Sequence, residues 1–159
     1  MTTVLEAARL VRHRISTLAP TLFDPCEIDP DTLQGACGIA SYTLARVLRQ
    51  VGVKCELSMG YFWSSKERCR GQHCWVTVES LDMIVDITAT QFDIPSEVHV
   101  TVSDDVRYHT SLRNRQAVKD LKTWETQSHL LYKDVLDRLV SDATVQLFQS
   151  GFVSRTLPD

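Results

Sequence analysis

The stretch QHCWVTVESLDMIVDIT, residues 72–88, decides the fold. Apolar and polar residues alternate from Gln72 to Ser80, which is typical of a half-buried β-strand. Leu81 and Asp82 form a short reversal, and Met83–Thr88 is a second, largely apolar run. Two strands joined by so short a turn pair antiparallel. The stretch therefore predicts a hairpin within an antiparallel sheet.

The spacing of apolar residues assigns the elements on either side of this hairpin. The helical spacing of the first predicted helix ends at Pro20, and Gly52 stands where the C-terminal cap of the second predicted helix belongs. The predicted ranges are helices 4–19, 37–51, 112–124 and 131–147, strands 53–62 and 98–102, and loops 20–36 and 63–71. Because strands follow helices in blocks and do not alternate with them, the order predicts an α+β fold with an antiparallel sheet.

Length and composition set the class of protein. The chain has 159 residues, of which 43% are hydrophobic and 23% charged, and this suits a single globular domain over residues 1–159. Its formal net charge of −3 gives no electrostatic footprint for nucleic acid. Six scattered arginines are interpreted as solvated side chains: Arg9, Arg12, Arg14, Arg107, Arg113 and Arg115.

The sequence carries no targeting or membrane signal that we recognise. Charged residues interrupt the first 19 positions, and no run approaches the ~18 apolar residues that a membrane span needs. The five cysteines are therefore interpreted as thiols: Cys26, Cys37, Cys55, Cys69 and Cys74. We expect a cytoplasmic protein without a membrane partner, although export by a dedicated machine would leave no mark of its own.

Cys37 is the first candidate for chemistry, because it falls in the first turn of the second predicted helix between small residues. A helix N-terminus carries partial positive charge and unpaired N–H groups. These features lower the pKa of a thiol and can stabilise an oxyanion that develops on an attacked carbonyl. The alternative is a buried cysteine that acts as a small hydrophobe.

His73 and Asp86 are the second and third candidates. Asp86 lies in an apolar strand, and a buried carboxylate costs several kcal/mol unless it is paired. The predicted turn brings His73 and Asp86 roughly opposite each other, at a cross-strand separation of ~5 Å. Cysteine, histidine and aspartate together supply the nucleophile, base and orienting acid of a thiol acyl-transfer site. A backbone N–H or the Thr88 hydroxyl is the alternative partner for Asp86.

A family pattern follows the same residues. GACGIA at residues 35–40 heads a helix, His73-Cys74-Trp75 lies on one strand and Asp86-Ile87-Thr88 on the next, followed by Gln91-Phe92. The pattern, over about residues 35–92, resembles the transglutaminase-like branch of the papain-like cysteine enzymes. The resemblance implies that a nucleophile-bearing helix packs on an antiparallel sheet, with extra helices at the C-terminal end of the chain.

The resemblance also implies roles for single residues. Cys37 is the nucleophile, His73 the general base and acid, and Asp86 the residue that orients His73. Gln34 is a candidate oxyanion donor, and Trp75 a candidate cleft wall that shields the site from water. No cofactor is implied. Calcium dependence is not implied either, since the insertions of the animal crosslinking enzymes are absent. The expected partner is a protein or peptide substrate.

Three alternatives remain open at this stage. A zinc site at Cys55, Cys69, His73 and Cys74 is disfavoured, since the chain has no Cys-x-x-Cys pair and Cys74 points away from His73. The domain could be a protein-binding module that keeps the fold without catalysis. The C-terminal helices could dock on a partner, although their apolar stripe is more simply core packing. Peptide hydrolysis, glutamine deamidation and transfer to an amine all stay open, although the small, one-domain build slightly favours hydrolysis, because an amine acceptor needs its own site.

Overall fold

The computed structural model describes residues 1–22, 29–64, 69–92, 94–110 and 133–153. Helices α1 (Thr2–Leu22) and α2 (Cys37–Gln50) precede the strands, and a third helix, α3, occupies residues 133–149. Between them the described residues form five strands: β1 (Glu56–Ser64), β2 (Cys69–Val78), β3 (Met83–Asp86), β4 (His99–Val102) and β5 (Tyr108–Thr110). The architecture is therefore α+β, as the element order predicts.

All the strand pairs of the sheet are antiparallel, and the strand order is β4-β3-β2-β1-β5. The predicted hairpin is confirmed, with Val76 opposite Val85 and a 3₁₀ turn at Glu79–Leu81. Asp82 completes the reversal in the left-handed region, at φ 51°. This conformation lets the short connection return the chain directly into β3.

The sheet curls until its two edge strands meet. His99 on β4 stacks on Tyr108 of β5, with ring centroids 6.3 Å apart. Arg107, next to β5, places a guanidinium nitrogen 3.0 Å from Nε2 of the same histidine. In a flat sheet, strands four places apart would lie about 19 Å from each other. The curl therefore creates a concave face on which side chains from β3 and β5 come together.

The two faces of the sheet carry two separate cores. Helix α2 lies against one face, on β1 and β2, and α1 packs on α2. Buried apolar residues of the three described helices share one core there with Cys74, Val76, Val78 and Val85. The concave face holds a smaller aromatic core of Phe62, Trp75, Ile84 and Tyr108. Neighbouring residues on β2 thus point into different cores. None of the helices, over the described ranges, is both long and apolar enough to cross a membrane.

The predicted cap of α2 is confirmed at Gly52. Its φ is +82°, its N–H donates to Arg49, and the N–H of Val53 donates to Leu48 at 2.9 Å. These two bonds form a Schellman motif, which satisfies the last carbonyls of a helix. At the other end, Ala36 supplies no side-chain cap. Within the described residues, the first N–H groups of α2 beside Cys37 therefore have no side-chain cap.

Several predicted boundaries are wrong. Helix α1 does not end at Pro20, because a proline in the last turn removes one backbone donor without forcing the earlier turns to stop. The predicted loop Trp63–Gly71 is strand at both ends, since the hairpin register runs to Ser64 opposite Cys69. β5 was not predicted at all. The predicted helix 112–124 lies outside the described residues.

The apolar stripe of the last predicted helix is core packing, as expected. On α3 the buried side chains, which lie within the main core, are Leu136, Leu139, Val140, Ala143 and Leu147. Val135, which was predicted to belong to the stripe, is half-buried. The stripe is therefore rotated slightly from the predicted positions but faces the same core.

Arg12 corrects the interpretation of the arginines as solvated. Its side chain is only 2% exposed, and its guanidinium donates to the carbonyl oxygens of Asp31 at 2.5 Å and Ile87 at 2.8 Å. A third contact, 3.4 Å long, reaches the carbonyl oxygen of Thr32. The planar guanidinium thus ties α1 to the loop before α2 and to the residue that follows Asp86.

We predict that Arg12→Lys destabilises the protein by about 2–4 kcal/mol, because an ammonium cannot reach carbonyls on two separate segments at once. Arg9→Lys is the matched control, since Arg9 is exposed and forms an ion pair with Glu6 on the same helix. Its effect should stay within about 0.5 kcal/mol. Urea unfolding measures both, and equal effects would contradict the structural role of Arg12.

Candidate active site

Cys37 lies at the N-terminus of α2, where that helix meets an open edge of β2. Strand β3 pairs with β2 only at Val76–Val78, so it leaves the edge beside Cys74 unused. Ser41, one turn into α2, donates its hydroxyl to the Cys74 carbonyl oxygen at 2.9 Å. The N–H of Cys74 points to the same edge and interacts with Cys37. The half-buried thiol therefore sits at the edge and meets residues from both faces.

Among the residues that the structure describes, two side chains interact with the Cys37 thiol. One is the thiol of Cys74, from the helix-covered face, and the other is the imidazole of His73, from the concave face. Cys74 does point away from His73, as predicted, but its contact with Cys37 was not foreseen. The edge position of α2, which the apolar spacing does not reveal, explains why one thiol can touch both neighbours.

His73 and Asp86 form a fully buried pair on the concave face. Nε2 of His73 lies 2.7 Å from Oδ2 of Asp86, and neither side chain is exposed. The two residues are not directly opposite: Asp86 follows the Val76–Val85 pair, so it reaches His73 along the diagonal. The predicted proximity is correct, and the predicted register is wrong by two residues.

Asp86 accepts hydrogen bonds from more than the imidazole. The backbone N–H and the hydroxyl of Thr88 donate to Oδ1 at 2.8 and 3.1 Å. The hydroxyl of Tyr108 donates to Oδ2 at 2.9 Å. Thr88 was the predicted alternative to His73, and the structure has both contacts together. Tyr108 was missed, because a strand of three residues leaves no periodic signal.

Charge and hydrogen bonding favour an ionised pair at Cys37 and His73. Contact with the Cys74 thiol is the largest influence on Cys37; burial opposes it, His73 reinforces it, and together they lower the pKa to about 5. Burial alone would lower the pKa of His73, but Asp86 and Cys37 outweigh it and raise the pKa to about 9. Between these values the arrangement holds a thiolate beside an imidazolium.

The remaining groups keep fixed charge states. Contact with Cys37, together with burial, raises the pKa of the Cys74 thiol, so Cys74 keeps its proton and donates to its neighbour. Burial opposes ionisation of Asp86, but His73, Thr88 and Tyr108 outweigh it and hold the pKa of that carboxyl below its usual value. The negative charges therefore belong to Cys37 and Asp86, on either side of the imidazole.

Aromatic rings fix the imidazole from the sides. Phe92 approaches it edge to face, with ring centroids 4.8 Å apart, and also stacks on Phe62 at 4.5 Å. Trp75, predicted as a cleft wall, is fully buried in the aromatic core, with its ring centroid 6.0 Å from that of His73. These rings keep water away from the faces of His73.

Two glutamines occupy different places. Gln34, the predicted oxyanion donor, is exposed in the turn before α2, and its backbone N–H bonds the Thr32 hydroxyl at 3.3 Å. Gln91, to which the sequence assigned no chemistry, places Nε2 3.1 Å from Nδ1 of His73. One signal in the sequence could have identified Gln91: it follows Asp86 by only five residues, so it must lie near the His73–Asp86 pair.

The part of the chain that the structure describes has no cluster of side chains that could hold a metal ion. There, no three histidine, cysteine or acidic side chains converge on a metal-sized site. Cys55, one of the candidates for zinc, instead directs its thiol at the Ala45 carbonyl oxygen, 3.6 Å away. The side chain of Cys69 lies outside the described residues.

We predict that Cys37 reacts with iodoacetamide with an inflection near pH 5, since its thiolate exists above that pH. Cys74→Ala should move the inflection upward by about 1–2 pH units, because it removes a hydrogen bond to the thiolate. Cys55→Ala, which removes another buried thiol, is the matched control and should change nothing. Peptide mass spectrometry measures the rates, and an unmoved inflection in Cys74→Ala would contradict this role.

We also predict that Tyr108→Phe destabilises the protein by about 1–3 kcal/mol at neutral pH, because a buried carboxylate loses a donor. The effect should shrink as the pH falls through the lowered pKa of Asp86, where the carboxylate no longer needs that donor. Tyr61→Phe is the matched control, since Tyr61 is 47% exposed. Denaturant unfolding at two pH values measures the difference, and a pH-independent loss would exclude the Asp86 explanation.

Comparison with protein-family models, with curated proteins and with solved structures finds no match for this chain. What points to a function is the site itself: a half-buried thiol at a helix N-terminus, an imidazole beside it, and a buried carboxylate on the far ring nitrogen.

Proposed function

We propose that the protein is a thiol enzyme that cleaves or transfers an amide-type acyl group through a thioester on Cys37. The observation that carries the proposal is the buried His73–Asp86 pair, 2.7 Å apart, whose imidazole contacts Cys37. A buried ion pair is expensive to maintain for packing alone. Its position beside a thiol of lowered pKa favours a catalytic role.

The reaction would begin with attack of the Cys37 thiolate on a carbonyl carbon. The developing oxyanion would be stabilised by the uncapped N–H groups in the first turn of α2. His73 then gives its Nδ1 proton to the leaving nitrogen, the C–N bond breaks, and a thioester remains on Cys37. Asp86 holds the imidazole by Nε2 throughout and stabilises its charged form.

The second half of the reaction would regenerate the thiolate. His73, now neutral, takes a proton at Nδ1 from water or from an amine, which attacks the thioester carbon. The tetrahedral intermediate expels Cys37 as a thiolate, and the acyl group leaves as an acid or as a new amide. Peptide hydrolysis, glutamine deamidation and amine transfer share these steps. They differ only in which amide nitrogen leaves the carbonyl and in whether water or an amine then accepts the acyl group.

The fold supports a papain-like, transglutaminase-like assignment within this proposal. The nucleophile begins a helix, the base lies on the second strand of an antiparallel sheet, and the acid ends the third. This is the order and placement that the resemblance in the sequence implies. A protein or peptide substrate, entering beside the half-buried Cys37, is the expected partner.

Acylation of Cys37 by an active ester tests the proposal without knowledge of the natural substrate. We predict that p-nitrophenyl acetate releases nitrophenol in a burst and leaves an acetyl group on Cys37, detected by intact-mass and peptide mass spectrometry. Cys37→Ser and His73→Ala should abolish the burst, and Asp86→Asn should slow it about tenfold or more, because the imidazole loses its orienting charge. Cys55→Ala is the control and should behave as the wild type.

Three amide probes then separate the outcomes. Casein reports peptide hydrolysis, a glutamine-containing dipeptide reports ammonia release, and the same dipeptide with a primary amine reports transfer. Absence of Cys37 acylation in a folded protein would overturn the enzymatic proposal and favour a binding module that keeps the fold.

A further inference from the structure

Gln91 places a polar side chain at the imidazole nitrogen that does not bind Asp86. Its Nε2 lies 3.1 Å from Nδ1 of His73 and 2.9 Å from the carbonyl oxygen of Thr88. A carbonyl oxygen can only accept a hydrogen bond, so the Gln91 atom beside Thr88 is the amide nitrogen. That nitrogen carries two hydrogens, of which one goes to Thr88 and the other is directed at Nδ1.

This contact defines the state of the ring in the neutral site. Because Gln91 donates, Nδ1 must accept, and the ring proton lies on Nε2, where it is donated to Asp86. We propose that Gln91 is a positioning residue that keeps Nδ1 of His73 unprotonated in the neutral site, so that it is the nitrogen that takes a proton from Cys37, and that Gln91 limits how firmly the ring then holds that proton. The inference rests on the proposed function, in which His73 is the base.

Gln91 disfavours the charged form of the His73 ring for a simple geometric reason. Once Nδ1 is protonated, its N–H faces the N–H of Gln91, and two donors repel each other. The amide cannot turn its oxygen to the ring without placing that oxygen against the carbonyl of Thr88. Gln91 therefore offsets part of the effect of Asp86, and a base that must return its proton to a leaving nitrogen is tuned by this balance.

The segment that carries Gln91 holds it firmly. A 3₁₀ turn spans Ala89–Phe92, and the backbone N–H of Gln91 donates to the Thr88 carbonyl at 3.2 Å. The hydroxyl of Thr90 donates to the Thr32 carbonyl at 2.7 Å, which anchors the turn to the loop before α2. Phe92 packs its edge against the His73 ring. The contact with Nδ1 is thus built into the chain immediately after Asp86.

Other groups also act on the charge of His73, and within the described ranges they come from both of the first two helices and from four strands. Among the described residues, the titratable and charged side chains that act directly or through Asp86 are Arg12 on α1, Cys37 on α2, Asp86 on β3, His99 on β4 and Tyr108 on β5, with Cys74 on β2 itself. Variants at Gln91 leave all of them in place, so a change in the titration of His73 reports the amide.

The test is the titration of His73 by NMR of its ring nitrogens, in a Cys37→Ala background that removes the coupled thiol. We predict that adding Gln91→Ala raises the pH at which His73 titrates by about one unit, a tenfold change in the ratio of protonated to neutral ring. Gln91→Glu, which replaces the donor with an acceptor, should raise it further. The His73 signal is assigned by its loss in His73→Ala.

Gln72→Ala is the matched control, because Gln72 neighbours His73 in sequence but directs its amide at the Met59 sulfur, 3.7 Å away. It should leave the titration unchanged. A His73 that titrates at the same or a lower pH in both Gln91 variants would overturn the proposal, since a merely structural role predicts no rise. Failure of Cys37 acylation together with the predicted order of titrations would overturn the proposed function alone.

Discussion

The buried carboxylate of Asp86 is the constraint on which the rest of the site depends. A charge without exposed surface costs several kcal/mol unless donors replace the water it has lost. Here the donors come from different parts of the chain: the imidazole of His73 on β2, two groups of Thr88, and the hydroxyl of Tyr108 on β5. In a flat sheet β5 would lie about 14 Å from β3, beyond the reach of a tyrosine. The curl of the sheet and the ionisation of Asp86 thus support each other.

The Cys37 thiol depends on a second constraint, the meeting of α2 with an open strand edge. Cys37 touches Cys74 on one side of β2 and His73 on the other. Of the two thiols, Cys37 carries the charge because the helix N-terminus and the imidazolium both favour it there. Cys74 is surrounded by the apolar core and keeps its proton. The Cys74 thiol therefore donates to the Cys37 thiolate, and because Cys74 is neutral it adds no further charge to the core.

The sequence predicted the parts of the site that local patterns encode, and missed those that arise from curvature and edges. Alternating residues around His73 and Asp86 predicted the hairpin, and Cys37 followed from helical spacing. The register was wrong by two residues because a 3₁₀ turn and a left-handed Asp82 replace the simple reversal. Tyr108 needed the curl of the sheet, and the burial of Arg12 needed knowledge of which carbonyls lie beside α1. Neither leaves a periodic signal in the chain.

The surroundings of His73 limit how a proton can travel in the proposed reaction. Asp86 covers Nε2, Gln91 faces Nδ1, Phe92 lies against the ring, and the side chain as a whole has no exposed surface. The half-buried Cys37 is the member of the trio that reaches solvent. Among the described residues, the approach beside Cys37 is thus the one by which a proton can leave or reach Nδ1. The leaving nitrogen and the incoming water or amine must then use the same approach, one after the other, which makes departure of the first product a condition for the second half of the reaction.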